Sequence, residues 1–413
     1  MEVATLACGA IARIVVYHLF PSVPATLDGH VEISTPVTSF KRLQEGLYLY
    51  KQGIDPYDGG IFHQSPLLLG AVSAVSKIVP ETIAINILYV LADLTAAWAL
   101  AQTAQRAATT IKYVFKKKDT KEPLPFAPWI IAAIYLFNPL LFLSSAAKST
   151  AVFNNAAICY TLAAATHGHF LTAAASLALA TNLSYYPIYL APLVSLLLHG
   201  NSGTPLRTNK AQYGFRFCLL SASYTAAILL LSQAIAGSWN FLGAVYGTIL
   251  TGRDLTPNIG LWWYFFTEMF DFFQPFFTGV FQIHVFLYAA PITLRFSSFP
   301  LFAITLYLGL VALFKAYPDT ADVGIFFSLV PFFRPLFPLL RYPIPAFLAL
   351  LYSSVLLPTF FHMWIYLGSG NANFFYAITL VYALGMTVCI SDLTWAMLRL
   401  EHDGGEDPNL SQI

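Results

Sequence analysis

The sequence predicts an all-α polytopic membrane protein with about twelve transmembrane helices, and three observations carry that expectation. First, 57% of the 413 residues are hydrophobic and 10% are charged, with a mean hydropathy of +0.66. A soluble domain carries roughly a quarter of its residues as charges. Second, the main basic clusters fall on one side of a single alternating path through the apolar runs, which a wrong span count would spoil. Third, 25 prolines are scattered through these runs. Broken spans of that kind are tolerated where protein or a cavity re-satisfies the backbone. The net charge of +1 implies no bulk electrostatic partner, so nucleic acid is not expected.

One transmembrane domain is expected over 1–413. The first apolar run reaches Phe20 and is ended by Pro21 and Pro24. It lacks a basic n-region and is interrupted by Arg13, which favours an uncleaved span over a signal peptide. A long polar loop follows, 21–65. Pro66 to Val79 is apolar but short, hence re-entrant or tilted, and Thr82 to about Ala107 is a clear span containing Asp93. The loop 106–127 holds Arg106, Lys112, Lys116, Lys117, Lys118 and Lys121 against Asp119 and Glu122, and is placed in the cytoplasm. Spans are then expected near 128–146 and 150–167, with apolar halves near 170–183 and 185–199. The loop 199–216, with Arg207, Lys210 and Arg216, returns to the cytoplasm. After a span near 217–236, the segment 237–277 lies on the other side and contains an aromatic surface helix. Runs near 278–294, 299–315, 322–338, 344–366 and 374–397 complete the path. Arg295, Arg341 and the tail 398–413 lie inside, so both termini are cytoplasmic.

Polar residues in so apolar a chain need reasons. The stretch Asn258 to Phe273, NIGLWWYFFTEMFDFF, is half aromatic yet carries Glu268 and Asp271. Rings with a greasy body and a polar edge belong at a membrane–water boundary. Its other reading is a helix that only packs. The run Gly368 to Asn373, GSGNAN, followed by Phe374, Phe375 and Tyr376, combines close backbone approach with uncharged amides. That combination suits a glycolipid head group above aromatic rings. Asn373 as the cap of the final span is the alternative. Asn258, Trp262, Phe265, Phe266, Asn371, Asn373, Phe374 and Tyr376 are therefore the candidate lipid-binding residues. Among the intramembrane acids, Asp93 and Asp392 are expected to pair with Lys or Arg on neighbouring helices. His63 and His284 read as packing residues, and Lys77 and Lys148 as snorkelling ones. Cys8, Cys159, Cys218 and Cys389 are far apart and read as buried free thiols. No GxSxG, HExxH or Walker motif occurs, so no catalytic residue, metal or cofactor is expected.

Several islands carry a resemblance. TPVTSFKRLQEGLYLYKQGIDPYDGGIFHQSPLLL at 35–69, NIGLWWYFFTEMF at 258–270 and VFQIHVF at 280–286 occur in order. They are followed by FKAYPDTADV at 314–323, HMWIYLGSGNANFFYAITL at 362–380 and ISDLTWAMLRLE at 390–401. Together they resemble the PIG-U family, multispan subunits of the glycosylphosphatidylinositol (GPI) transamidase. The resemblance implies a bundle related to the GT-C glycosyltransferases with short lumenal interfacial helices. It also implies residence in the endoplasmic reticulum membrane and a non-catalytic role: binding GPI and presenting it for attachment to the C-terminus of precursor proteins. The implied partners are a PIG-K-like cysteine protease, which holds the nucleophile, with PIG-T-like, PIG-S-like and Gaa-type subunits, GPI itself and membrane lipids. The alternative is an active dolichol-phosphate-mannose-dependent GT-C mannosyltransferase. The DPY…SPLL pattern at Asp55 to Leu68 is similar to one in GPI mannosyltransferases, which place an acidic pair in the first lumenal loop. Here Asp28 and His30-Val31-Glu32 stand at that place, without the full pair. A transporter is weakened by the lack of paired repeats.

Overall fold

The computed structural model describes residues 1–114, 126–201 and 209–403. The expected basic residues Lys116, Lys117, Lys118, Lys121 and Arg207, and the tail beyond residue 403, lie outside the described residues. Every described element is helical, with no strand among them. Seven helices are long and apolar enough to cross a membrane, or eight if the pair Pro128–Phe137 and Pro139–Ala146 is one span bent by 53°. The bend has a local cause. Asn138 accepts from Leu140 N at 3.1 Å and so caps the second half, Pro139 takes the first helical position, and the Asn138 amide donates to Gly324 O at 3.2 Å. Gly324 is required there: a Cβ would come within 2.6 Å of Leu141.

The centre is built from small residues. Glu81–Val114 packs along Ala151–Thr166, which packs along Phe170–Ser184. Ala96, Ala97, Ala99, Ala101, Ala164, Ala165, Ala173 and Ala174 are buried at these contacts. Small side chains let helix axes approach where no hydrophobic force drives association in lipid. In Ala151–Thr166 every residue but Phe153 and Tyr160 is buried. The helices Glu2–Leu19, Lys210–Ala236, Gln274–Leu287 and Pro343–Ile365 instead turn Ile11, Leu230, Phe276 and Phe347 outward. Cys159 is buried, but Cys8 is exposed on the outer face of the first helix and Cys218 and Cys389 are half-buried, which corrects the expectation of four buried thiols.

Buried charges tie these helices. Arg13, in Glu2–Leu19, meets Asp93, in Glu81–Val114, and both are about 1% exposed. The guanidinium also donates to Gly9 O and Leu136 O at 3.2 Å each, and Ser145 Oγ donates to Asp93. Asp392 accepts instead from the backbone N–H groups of Arg341 (2.9 Å) and Tyr342 (2.8 Å), so its partner is a helix entry and not a side chain. Arg295 pairs with Glu401 at 2.8 Å at the same end of the molecule. Lys148 does not snorkel. Its ammonium lies 5.0 Å from the rings of both Tyr17 and Phe40, and the residue is 6% exposed.

Candidate functional site

The loops between spans gather at one end. Thr150 N donates to Thr38 O at 2.9 Å and Thr320 N to Glu32 O at 2.9 Å. Ser65 Oγ meets Asn182 Oδ1 at 2.5 Å. The polar segment 21–65 is mostly a clamp. Asp28 accepts from Ser34 Oγ (2.6 Å), Ser39 Oγ (2.8 Å), Phe40 N (2.9 Å) and Lys41 N (3.2 Å), which fastens it to the start of Phe40–Lys51. Asp55 reaches the 237–257 segment, accepting from Ser238 Oγ at 2.7 Å and Asn240 Nδ2 at 3.0 Å. Partial burial works against its charge, yet bonds from Tyr57 N, Ser238 and Asn240 outweigh it and hold the carboxyl below its ordinary range. Arg42 pairs with Asp254 at 2.6 Å, and His63 Nδ1 donates to Ala244 O at 2.7 Å.

Burial pushes the His63 pKa down; the Ala244 bond and Asp254 pull it up, and Arg42 adds to the lowering. His63 is therefore neutral in the fold, and below its unfolded value of about 6.5 the unfolded chain binds the extra proton. The clamp's stability is present above that value and falls as pH drops through it. The thermal midpoint of the protein should decrease more between pH 7.5 and 5.5 than that of His63→Gln; parallel curves would refute this.

The aromatic stretch forms a shorter helix than its composition suggests. Only Trp262–Thr267 is α-helical, Asp271–Phe273 is a 3₁₀ turn, and Gln274–Leu287 already belongs to the next span. Glu268 and Asp271 are exposed. Trp263 is the centre of a ring cluster, stacked on Trp364 (centroids 6.0 Å), tilted against Phe375 (5.7 Å) and edge-on to Tyr376 (5.7 Å) and Tyr264 (5.4 Å). Tyr264 stacks on Tyr376 at 4.6 Å, and its hydroxyl donates to Asn373 Oδ1. Tyr376 Oη donates to Leu261 O at 3.3 Å.

Above this shelf sits the turn from Gly368 to Asn371. Ser369 N and Gly370 N both donate to Met363 O, at 3.0 and 3.1 Å, and Gly368 has φ of +62°, where a side chain would be strained. The final helix is Ala372–Asp403, and Asn371 caps it by accepting from Phe374 N at 3.2 Å. The cap is thus Asn371 and not Asn373, two residues earlier than expected. Both amides are exposed, and Phe374 is exposed and stacks on Phe360.

The predicted residues divide into two groups. Asn371, Asn373, Phe374 and Tyr376 gather at the turn. Phe265 and Phe266 form a second ring group with Phe277 and Phe281. Asn258 and Trp262 are fully buried: Asn258 accepts from Gly260 N at 2.7 Å, and Trp262 Nε1 donates to Phe314 O at 2.8 Å. These two position the segment and are not exposed to a ligand. Trp263, Tyr264 and Trp364 were missed. The signal was the doubled Trp and the HMWIYLG run, read as composition and not as partners.

The fold and its looped end define a polytopic helical membrane protein with uncharged amides exposed beside a cluster of packed rings. The profile of the family described as GPI transamidase subunit PIG-U matches residues 7–382. The chain is 41% identical to GPI transamidase component GAB1 of Saccharomyces cerevisiae, over 97% of this chain and 95% of that one. It is 34% identical to human GPI-anchor transamidase component PIGU, over 91% and 89%. It is 35% identical to the GAB1 homologue of Schizosaccharomyces pombe, over 93% and 91%. The chain belongs to the PIG-U family of GPI transamidase subunits.

Proposed function

We propose that this protein is the non-catalytic, GPI-presenting subunit of a GPI transamidase in the endoplasmic reticulum membrane, acting beside a cysteine-protease-like subunit and PIG-T-like, PIG-S-like and Gaa-type partners. Family membership supports the subunit role. The observation that carries the ligand role is the pair of exposed amides, Asn371 and Asn373, held above the Trp263–Trp364–Tyr376 rings. Rings under polar donors fit a sugar face or acyl chain with a phosphate or hydroxyl above it. Holding the acceptor in reach of an acyl-enzyme on another chain lowers an entropic barrier by several kcal/mol. The mannosyltransferase reading loses support because Asp28 is committed to four hydrogen bonds.

The same reading gives a GT-C-like bundle of twelve crossings with both termini cytoplasmic. The seven long helices and the bent pair are joined by Ala151–Thr166, Phe170–Ser184, the 186–201 pair and Pro300–Phe314. A 16-residue helix is about 24 Å long, short of a ~30 Å hydrocarbon core. Short spans are sheltered when they lie inside the bundle, as Ala151–Thr166 does. The segments 21–65 and 237–270 are then lumenal, and the 106–127 loop and 398–413 tail are cytoplasmic.

The test separates cap from contact. Asn371→Ser keeps a good cap and removes the amide. We expect it to enter the complex normally and to lower GPI recovery roughly tenfold, the effect of losing one hydrogen bond to a charged group. Asn373→Ala should act similarly. Mild-detergent pull-down with lipid mass spectrometry reads both. Full GPI recovery with Asn371→Ser would reduce that residue to a cap, and full recovery with both variants would overturn the site.

A further inference from the structure

A cavity is lined by Ile259, four residues before Trp263 of the shelf. Its volume is about 320 Å³, within the range of roughly 300–1,000 Å³ usual for small-molecule sites. Its walls are apolar, built chiefly by Leu350 and Leu357 of Pro343–Ile365 with Leu140 and Val323 of neighbouring helices. His30, Glu32, Thr320, Ser354 and Tyr382 break the apolar lining, and two of them, Glu32 and Tyr382, each keep a polar atom without a partner. Glu32 is 8% exposed, and its Oε1 has no hydrogen-bond partner; its Oε2 is 3.7 Å from His30 Nδ1. Tyr382, also 8% exposed, has an unpartnered hydroxyl.

A buried carboxylate oxygen without a partner is costly, and so is a lone buried hydroxyl. The protein does not supply the missing donor from the segment that grips Glu32. Thr320 N bonds the Glu32 backbone, and Lys315, five residues before Thr320, is already paired with Asp322. The opening is informative too. Ser354 lines the cavity yet is exposed on Pro343–Ile365, an outward-facing helix. The entrance therefore faces the surroundings of the bundle. The acid stands at the loop end, and Tyr382 lies ten residues into the final helix, about 15 Å along its axis.

We propose that this cavity is a lipid site, taking one hydrocarbon chain of a membrane lipid whose primary ammonium head donates to Glu32. A carboxylate selects an N–H donor, so an ethanolamine head fits where a choline head, with no N–H, does not. The site is separate from the shelf and does not rest on the GPI reading. A large glycan head is disfavoured because the apolar walls begin at Leu27 and Ile33, directly beside the acid.

The full-length protein, purified in its complex, is washed free of lipid and incubated with oleoyl lysophosphatidylethanolamine or oleoyl lysophosphatidylcholine. Retained lipid is then measured by mass spectrometry. The expected result is at least tenfold greater retention of the ethanolamine lipid. Glu32→Gln should equalise the two, and Ser354→Phe, at the exposed mouth, should abolish retention of both. Equal retention by the unaltered protein overturns the proposal, as does unchanged selectivity in Glu32→Gln or unchanged binding in Ser354→Phe. If Glu32→Gln fails to assemble, the unaltered protein and Ser354→Phe still decide the matter. A site that holds GPI instead would show GPI in the untreated complex, absent from Ser354→Phe, with no preference between the two lysolipids.

Discussion

Asp93→Ala should remove most of the folded protein from the membrane. Arg13 is buried, and arginine cannot neutralise itself by giving up a proton. Its remaining contacts include the Gly9 and Leu136 carbonyls and the Phe142 ring at 5.4 Å, none of which carries a charge. Breaking a buried pair from one side costs about 3–5 kcal/mol. A typical fold is stable by about 5–15 kcal/mol, so from about a fifth of the total to nearly all of it is at stake. The double variant Arg13→Met with Asp93→Leu should recover most of the loss, because exchanging a whole buried pair for apolar side chains is often neutral. Steady-state abundance and the melting temperature in detergent measure both. If the double variant is as poor as the single one, the pair contributes through geometry that methionine and leucine do not reproduce.

Trp263→Ala carries the second large effect, this time on function. The residue is 3% exposed and lies against four aromatic rings. Removing an indole from such a place costs about 3–5 kcal/mol locally, part of it from the void left behind. Trp364, Phe375 and Tyr376 would then lose the surface that fixes them under the Asn371 turn. The Arg13–Asp93 pair lies on other helices, Glu2–Leu19 and Glu81–Val114, so the chain should still join its complex. Attachment of GPI to a reporter protein should fall at least tenfold. Trp263→Phe keeps a ring and should lose far less. Loss of complex assembly with alanine, at unchanged activity per assembled complex, would make the cluster a packing feature only.

The sequence made some of this legible. Hydropathy reported that the chain spans a membrane, because composition alone is enough for that. It did not report which helices are neighbours. Arg13 and Asp93 were each visible as costly residues, yet they are 80 positions apart and no periodicity links them. Asp319 and Asp322 form a reciprocal capping box at Thr320–Leu329, a spacing that can be read directly but was absorbed into a span boundary. The amide turn was legible in kind. Its details shifted because helix caps are decided by one residue's backbone: the final helix starts at Ala372, so Asn371 serves the cap and Asn373 is left to meet Tyr264. Asn258 and Trp262 were chosen for residue type, and burial is a property that type does not fix.

The final hairpin has a mechanical meaning. Ala372–Asp403 is continuous, and Pro343–Ile365 lies along it. The turn that joins them carries Asn371, while Asp392 holds the entry of Pro343–Ile365 through the Arg341 and Tyr342 amides. These two points are 21 residues apart, about 30 Å along the axis. A stiff rod held at one end and bearing the exposed Asn371 amide at the other is a lever. A force applied near Asp392 is delivered, with little loss, to the Asn371 turn.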